Sequence, residues 1–235
     1  MIKYLGHILP ALLLMIQLAA AESVKVVLFP FREAVIASRV DSTLRPYHFR
    51  LGESFKKDSL LTTLDDASYQ LKVKQMKAQF DFAKANYTDK KELRAGNFTS
   101  DFELKKAEYD FQVAANALAE AELNLTYCQI KAPFAGKIVE IQTREYETVR
   151  PGQALFRIID DNSLLGVMNV SLKDVKQPGT AVTIRLEDGR QIRGSVYEVS
   201  PQADHRTGTV RVRILIDNSK GTLRAGMTGE LHHVK

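Results

Sequence analysis

The chain has 235 residues, 45% apolar and 26% charged, an ordinary globular composition that suits one or two domains. Its net charge of +5 is spread out, and no basic patch with interleaved aromatics occurs, which argues against nucleic-acid binding. The single cysteine, Cys128, has no partner for an internal disulfide, so packed cores must hold the fold.

The N-terminus has the layout of an export signal over residues 1–21. Lys3 supplies the positive start, Ile8 to Leu18 the apolar core, and Ala19-Ala20-Ala21 the cleavage site. The apolar run is short for a bilayer span and contains Pro10 and Gln17, although an uncleaved inner-membrane anchor is the alternative. A β-rich region follows. In residues 22–34, Val24 to Leu28 reads as a strand that joins a later β-barrel, with Pro30 expected to interrupt it before Ala34-Val35-Ile36-Ala37. Residues 35–66 hold strands at Val40–Leu44 and Ser59–Leu64, with turns near Gly52 and at Lys56-Lys57-Asp58.

From residue 67 to 126 the period changes to that of a helix. Tyr69, Val73, Met76, Phe80, Ala83 and Tyr87 recur at steps of three and four, and so do Leu104, Ala107, Phe111, Ala114, Leu118, Ala121 and Leu125. Both runs fit a heptad seam. Asp65-Asp66 can cap the first helix, Gly96 or Asn97 can end it in the left-handed region, and Ser100 with Glu103 forms a capping box for the second. The short link predicts an antiparallel helical hairpin, each arm about 27 residues and roughly 40 Å long. Nine Lys or Arg balance nine Asp or Glu over this stretch, so the hairpin is neutral.

Residues 127–160 return to strands at Tyr127–Lys131, Lys137–Gln142 and Ala154–Ile159, with turns at Pro133-Phe134-Ala135-Gly136 and Arg150-Pro151-Gly152. The segments 35–66 and 127–160 are each too small for a separate core, so they are expected to form one β domain interrupted by the hairpin. Residues 161–235 carry β-rich runs at 164–172, 181–186, 191–199, 209–216 and 228–234, the rhythm of a small barrel.

No nucleophile–base pair or paired carboxylates are placed by any motif, so no enzymatic chemistry and no cofactor are expected. His48, His205 and His232-His233 are scattered and not at ligand spacing with a Cys or carboxylate, and Met76 and Met227 read as packing residues. Lys56 and Lys57 read as solvated turn lysines. Phe82 and Tyr109 lie off the seam, where they broaden it or face a neighbouring protomer.

Leu123 to Ile138, continuing through Val149-Arg150-Pro151-Gly152-Gln153, resembles the return from a hairpin into the lipoyl-like domain of periplasmic adaptor, or membrane-fusion, subunits (the HlyD family). Phe55 to Asp65 resembles the first half of that domain, with Asp58 where the family usually has Gly. Val199-Ser200-Pro201, Thr207 to Val210 and Leu223 to Gly229 resemble the adaptor β-barrel. The resemblance implies an α+β, mainly β fold, in which a lipoyl-like barrel-sandwich hybrid is interrupted by an antiparallel coiled-coil hairpin and followed by a small β-barrel. It also implies a protein that links an inner-membrane transporter, RND type in preference to ABC type with both open, to an outer-membrane channel, and that assembles as a homo-oligomer.

The family's hairpin tip carries Arg, Leu four positions later and Ser seven after that. Leu93 and Ser100 match, while the Arg position holds Asp89, with Lys90 or Arg94 as the substitute cation. Lys90, Leu93, Arg94 and Ser100 are therefore the expected partner-binding residues. The family's barrel usually leads into a membrane-proximal domain, which the sequence to Lys235 is expected to reduce or omit. On residues alone, a periplasmic ligand- or metal-binding protein and a structural envelope coiled coil stay open.

Overall fold

The computed structural model describes residues 24–232; the expected signal over 1–21 and His233 lie outside them. β1 (Lys25–Ala37), β2 (Ser42–Thr43), β3 (Ser54–Phe55) and β4 (Leu60–Thr63) precede two long helices, α1 (Ala67–Ala95) and α2 (Asp101–Tyr127). After them come β5 (Gln129–Lys131), β6 (Gly136–Ile141), β7 (Thr148–Val149) and β8 (Ala154–Ser171). The chain ends in β9 (Ala181–Leu186), β10 (Gln191–Asp204), β11 (Thr209–Asp217) and β12 (Thr228–His232).

β1, β12, β9, β10, β11 and β8 pair in that order, and β1 pairs back onto β8, so these six strands close a barrel. Its core holds Val26, Leu28, Leu164, Ile184, Ile214 and Ile216. β1 and β8 then run on past the barrel, and β6 joins β8, and β3 joins β6, to start the sandwich. The second layer is made of the short pairs β2–β7 and β4–β5. Leu44, Leu61, Leu64, Ile138, Phe156 and Ile158 fill the space between the layers.

Pro30 does not interrupt β1 as its sequence suggests. The pairing with β8 shifts register between Pro30 and Arg32, so the proline sits at a bulge where a missing N–H costs no ladder bond. Arg32 beside it pairs with buried Asp160 at 2.8 Å. The strand expected over Val40–Leu44 shrinks to Ser42–Thr43, with Leu44 in a lone bridge to Leu64. β8 passes through Asp160 without a break, so sandwich and barrel share one continuous element there. Gly136 does not belong to a turn: it is the buried first residue of β6. Asp58 does adopt the left-handed backbone that glycine usually supplies, with φ +63°.

The seam residues of both helices are buried or half-buried, with Met76, Leu118 and Ala121 at the centre of the interhelical core. Tyr87 stacks on Phe111 at 5.7 Å between ring centroids, and Phe80 meets the same ring at 5.4 Å. Asp66 holds the N-cap position of α1 without a capping bond; Asp65 instead accepts from the Ala67 N–H at 3.2 Å.

Cys128 caps the end of α2 where the helix enters the sandwich core, and it is 1% exposed. Burial, with Asp66 and Asp65 adding, pushes its thiol up to about 11 from 9.0. The thiolate therefore forms more readily in the unfolded chain, and stability falls as pH rises from about 9 to 11. In urea titrations across that window, Cys128→Ala is expected to lose less stability than the parent chain. Equal slopes would show that the buried thiol does not contribute.

Candidate functional site

The far end of the hairpin carries the residues that the sequence singles out, and its geometry begins with the way α1 stops. Asn97 takes the left-handed conformation, φ +61°, while Gly96 stays at φ −89°. The Asn97 N–H bonds the Arg94 carbonyl at 3.0 Å and the Phe98 N–H bonds the Leu93 carbonyl at 2.8 Å. These two bonds make a Schellman stop, which satisfies carbonyls the helix end would otherwise leave free. A Cβ on Gly96 would lie 2.6 Å from the ring of Phe98, so a side chain here would have to turn that exposed ring aside.

Ser100 starts α2. Its backbone is extended, φ −82° and ψ 157°, and its hydroxyl accepts from the Glu103 N–H at 3.2 Å. Ser100→Ala is expected to lower stability by about 1 kcal/mol, with Ser100→Asp close to the parent, in thermal or urea unfolding. The Glu103 carboxylate accepts from the Thr99 hydroxyl and pairs with Lys90 Nζ at 3.7 Å. Thr99 first and then Lys90 hold this carboxyl below its usual range.

Arg94 braces the other side of the loop. Its Nε donates to Asp101 Oδ1 at 2.5 Å and its Nη1 to Asn97 Oδ1 at 2.9 Å, and the guanidinium lowers the Asp101 carboxyl. Lys90 and Arg94 thus both spend their charge across the loop, tying α1 to α2. Leu93 is turned outward, 43% exposed, and Ser100 is exposed as well.

Two aromatic residues that sequence reasoning passed over lie at the same end of the hairpin as Leu93, Phe98 in the loop and Phe102 in the first turn of α2. Phe98 is 80% exposed and Phe102 is 76% exposed. Their signal was present as two phenylalanines flanking a polar loop at positions outside the heptad seam. The tip thus carries three exposed apolar side chains on a frame fixed by the helix stop, the N-cap and two ion pairs. Exposed apolar side chains on a rigid helical tip are suited to insertion into grooves between a partner's helices.

The flanks of the hairpin carry a second set. Phe82 lies two residues beyond Phe80, about 200° around the helix, and so points away from the seam. It is 77% exposed, and Tyr109 and Val113 on the opposite flank are also exposed, so neither Phe82 nor Tyr109 widens the interhelical core. Because Met76 meets Leu118 in the antiparallel pair, Phe82 stands level with Tyr109 and Val113, and exposed Leu71 with exposed Leu123.

The model of the RND MFP barrel-sandwich hybrid domain matches residues 32–161, and that of the CusB-like beta-barrel domain matches residues 168–235. The chain is 28% identical over 229 residues to nodulation protein NolF of Rhizobium meliloti, covering 88% of this chain and 62% of that protein. It is 24% identical to the macrolide export protein MacA of Escherichia coli O157:H7, covering 86% of this chain and 64% of the relative. Against the multidrug resistance protein MexA of Pseudomonas aeruginosa it is 26% identical, covering 84% and 56%. The chain thus spans less than two thirds of the length of these relatives. A MacA-MexA chimeric protein containing the Pseudomonas aeruginosa MexA alpha-hairpin domain superposes with TM-score 0.76 at 20% identity, over 89% of this chain and 78% of that one. An efflux-transporter structure from Bacteroides eggerthii gives 0.73 at 20% identity, over 89% and 67%. At that identity the superpositions establish the fold. With the barrel-sandwich model matched over more than half its length, the chain belongs to the RND membrane fusion protein family.

Proposed function

We propose that this chain works in the periplasm as an adaptor that links an inner-membrane efflux transporter, RND type rather than ABC type, to an outer-membrane channel. It performs no chemistry of its own and acts by holding the two partners in register for export of small molecules. The observation that carries this reading is the exposure of Leu93, Phe98 and Phe102 at the end of a hairpin whose loop is braced by Arg94 and Lys90. Apolar side chains held in a fixed frame lose little conformational freedom when they enter a groove. Leu93 and Ser100 contribute the contact surface, Ser100 while capping α2, and Lys90 and Arg94 act by positioning it. Family membership supports the same reading, since macrolide export protein MacA and multidrug resistance protein MexA are relatives.

The level-matched flanks support assembly as a ring of copies. Phe82 of one hairpin would meet Tyr109 and Val113 of the next without a shift along the axis.

The test is photocrosslinking in cells from benzoylphenylalanine placed at Phe98, an exposed aromatic position that the probe replaces with little change. The expected product is a crosslink to an outer-membrane channel protein, with the same probe at Phe82 giving dimers of this chain. Crosslinks from Phe98 to this chain alone, with the transporter and channel expressed, would sink the adaptor reading.

A further inference from the structure

The outer wall of the barrel breaks the alternation that its strands otherwise keep. In β11, Val210, Val212 and Ile214 point inward and are buried, while Arg211 and Arg213 between them are exposed, as expected for an antiparallel sheet with one wet face. β1 instead runs Val26-Val27-Leu28-Phe29-Pro30-Phe31, and β8 runs Leu164-Leu165-Gly166-Val167-Met168, with no polar side chain on either face. Strands that are apolar on both sides are ordinarily covered on both sides. Here the outward set comes together by register, Val27 beside Val167 and Phe29 beside Leu165. It floors a surface trough of about 680 Å³. Phe29 is 48% exposed in it, and Phe31 leans edge-on against Tyr197 at 6.1 Å.

The charges around the trough are not evenly placed. Arg213 is paired with Glu198 at 2.9 Å, and Glu33 with Arg157 at 3.1 Å. Arg211, which lines the trough, forms no ion pair with a described carboxylate, whereas Lys25 faces Glu230 across the β1–β12 register. Asn169 is the register partner of Arg211, and the β1–β8 register carried two residues outward sets Lys25 level with Asn169. One end of the trough therefore presents the Arg211 guanidinium and the Asn169 amide, with Lys25 offset by Glu230, and its floor is apolar. From Lys25 to Phe31 the strand extends about 20 Å at 3.3 Å per residue, room for one extended acyl tail.

We propose that this trough binds a single-chain anionic amphiphile, its head group held by Arg211 and Asn169 and its tail lying along Val27, Phe29, Leu165 and Val167. An uncharged head would leave the Arg211 guanidinium without a counter-charge, so an anionic head is preferred. The site is remote in sequence from the hairpin tip and does not rest on the adaptor reading.

Isothermal titration of the full chain with dodecanoate, kept below its micellar concentration, tests this. Saturable one-to-one binding is expected, with dodecyl maltoside, the same tail on an uncharged head, weaker by at least about tenfold, the scale of one lost charge-assisted contact. Arg211→Glu, a change at an exposed position, is expected to cost at least as much. Phe29→Ser is expected to weaken both detergents alike, with circular dichroism confirming that each variant is folded. Non-saturable uptake, equal affinity for the two detergents, or binding indifferent to Arg211→Glu would overturn the proposal. Adsorption to phosphatidylglycerol vesicles without binding of monomeric dodecanoate would overturn it too, since a bilayer surface would then be the occupant.

Discussion

Gly136→Val is expected to leave no stably folded sandwich. A Cβ at this position would lie 2.1 Å from the Ile159 carbonyl oxygen and 2.9 Å from its carbon. The obstacle is backbone, so no rotamer change relieves it. β6 must move away from β8, and the residues next in line are Ile138 and Ile158, register partners that are both fully buried. On the other side, Gly136 is the partner of Phe55 in β3, so that edge is displaced as well. Overpacking that side chains can absorb costs about 1–3 kcal/mol; a collision with a central strand exceeds that range and approaches the whole stability of a domain. Far-ultraviolet circular dichroism and a urea titration would register it. The control is Gly152→Ala, where φ is +85° and nothing lies within 4 Å, for which about 1 kcal/mol is expected from the left-handed backbone alone. A native-like midpoint for Gly136→Val would mean that β6 and β8 are farther apart than described here.

Leu93→Asp is expected to abolish channel contact while leaving the chain folded. Leu93 is 43% exposed, so the substitution removes little from the hairpin core and should alter stability by no more than about 0.5 kcal/mol. In a groove that closes over the tip, the same carboxylate would be stripped of water without a partner. A penalty of several kcal/mol corresponds to a loss of contact of at least about a hundredfold. The readout is the Phe98 photocrosslink together with the melting temperature. Loss of the folded protein would make Leu93 a structural residue, and an undiminished crosslink would remove it from the contact.

The fold was legible where periodicity was strong. Heptad spacing from Tyr69 to Tyr87 and from Leu104 to Leu125 corresponds to residues that are buried or half-buried on two paired helices. Ser100 reads correctly as an N-cap because capping depends on a local hydrogen bond. Pro30 and Gly136 were misread for a common reason. Both residues usually mark turns, and whether they do so depends on a neighbouring strand more than a hundred residues away for Pro30 and more than twenty for Gly136. At the tip, Lys90 and Arg94 read from their positions as substitutes for the family's arginine. Their partners Glu103 and Asp101 lie on the far side of the loop, and only the closed hairpin brings them together. Phe98 and Phe102 escaped notice because a sequence does not reveal which aromatics a loop turns outward.

The pairing of β4 with β5 bears on the order in which this chain can fold. Thr63 and Gln129 are ladder partners although the whole hairpin separates them along the chain. Through a disordered linker of that length, the two halves of the sandwich would meet only after an entropically costly search. The helices pair through contacts between near neighbours in sequence, and their docking delivers both ends of the linker to one place. Sandwich assembly therefore waits on the hairpin, and changes that loosen Phe80, Phe111 or the Schellman stop should slow refolding more than they hasten unfolding.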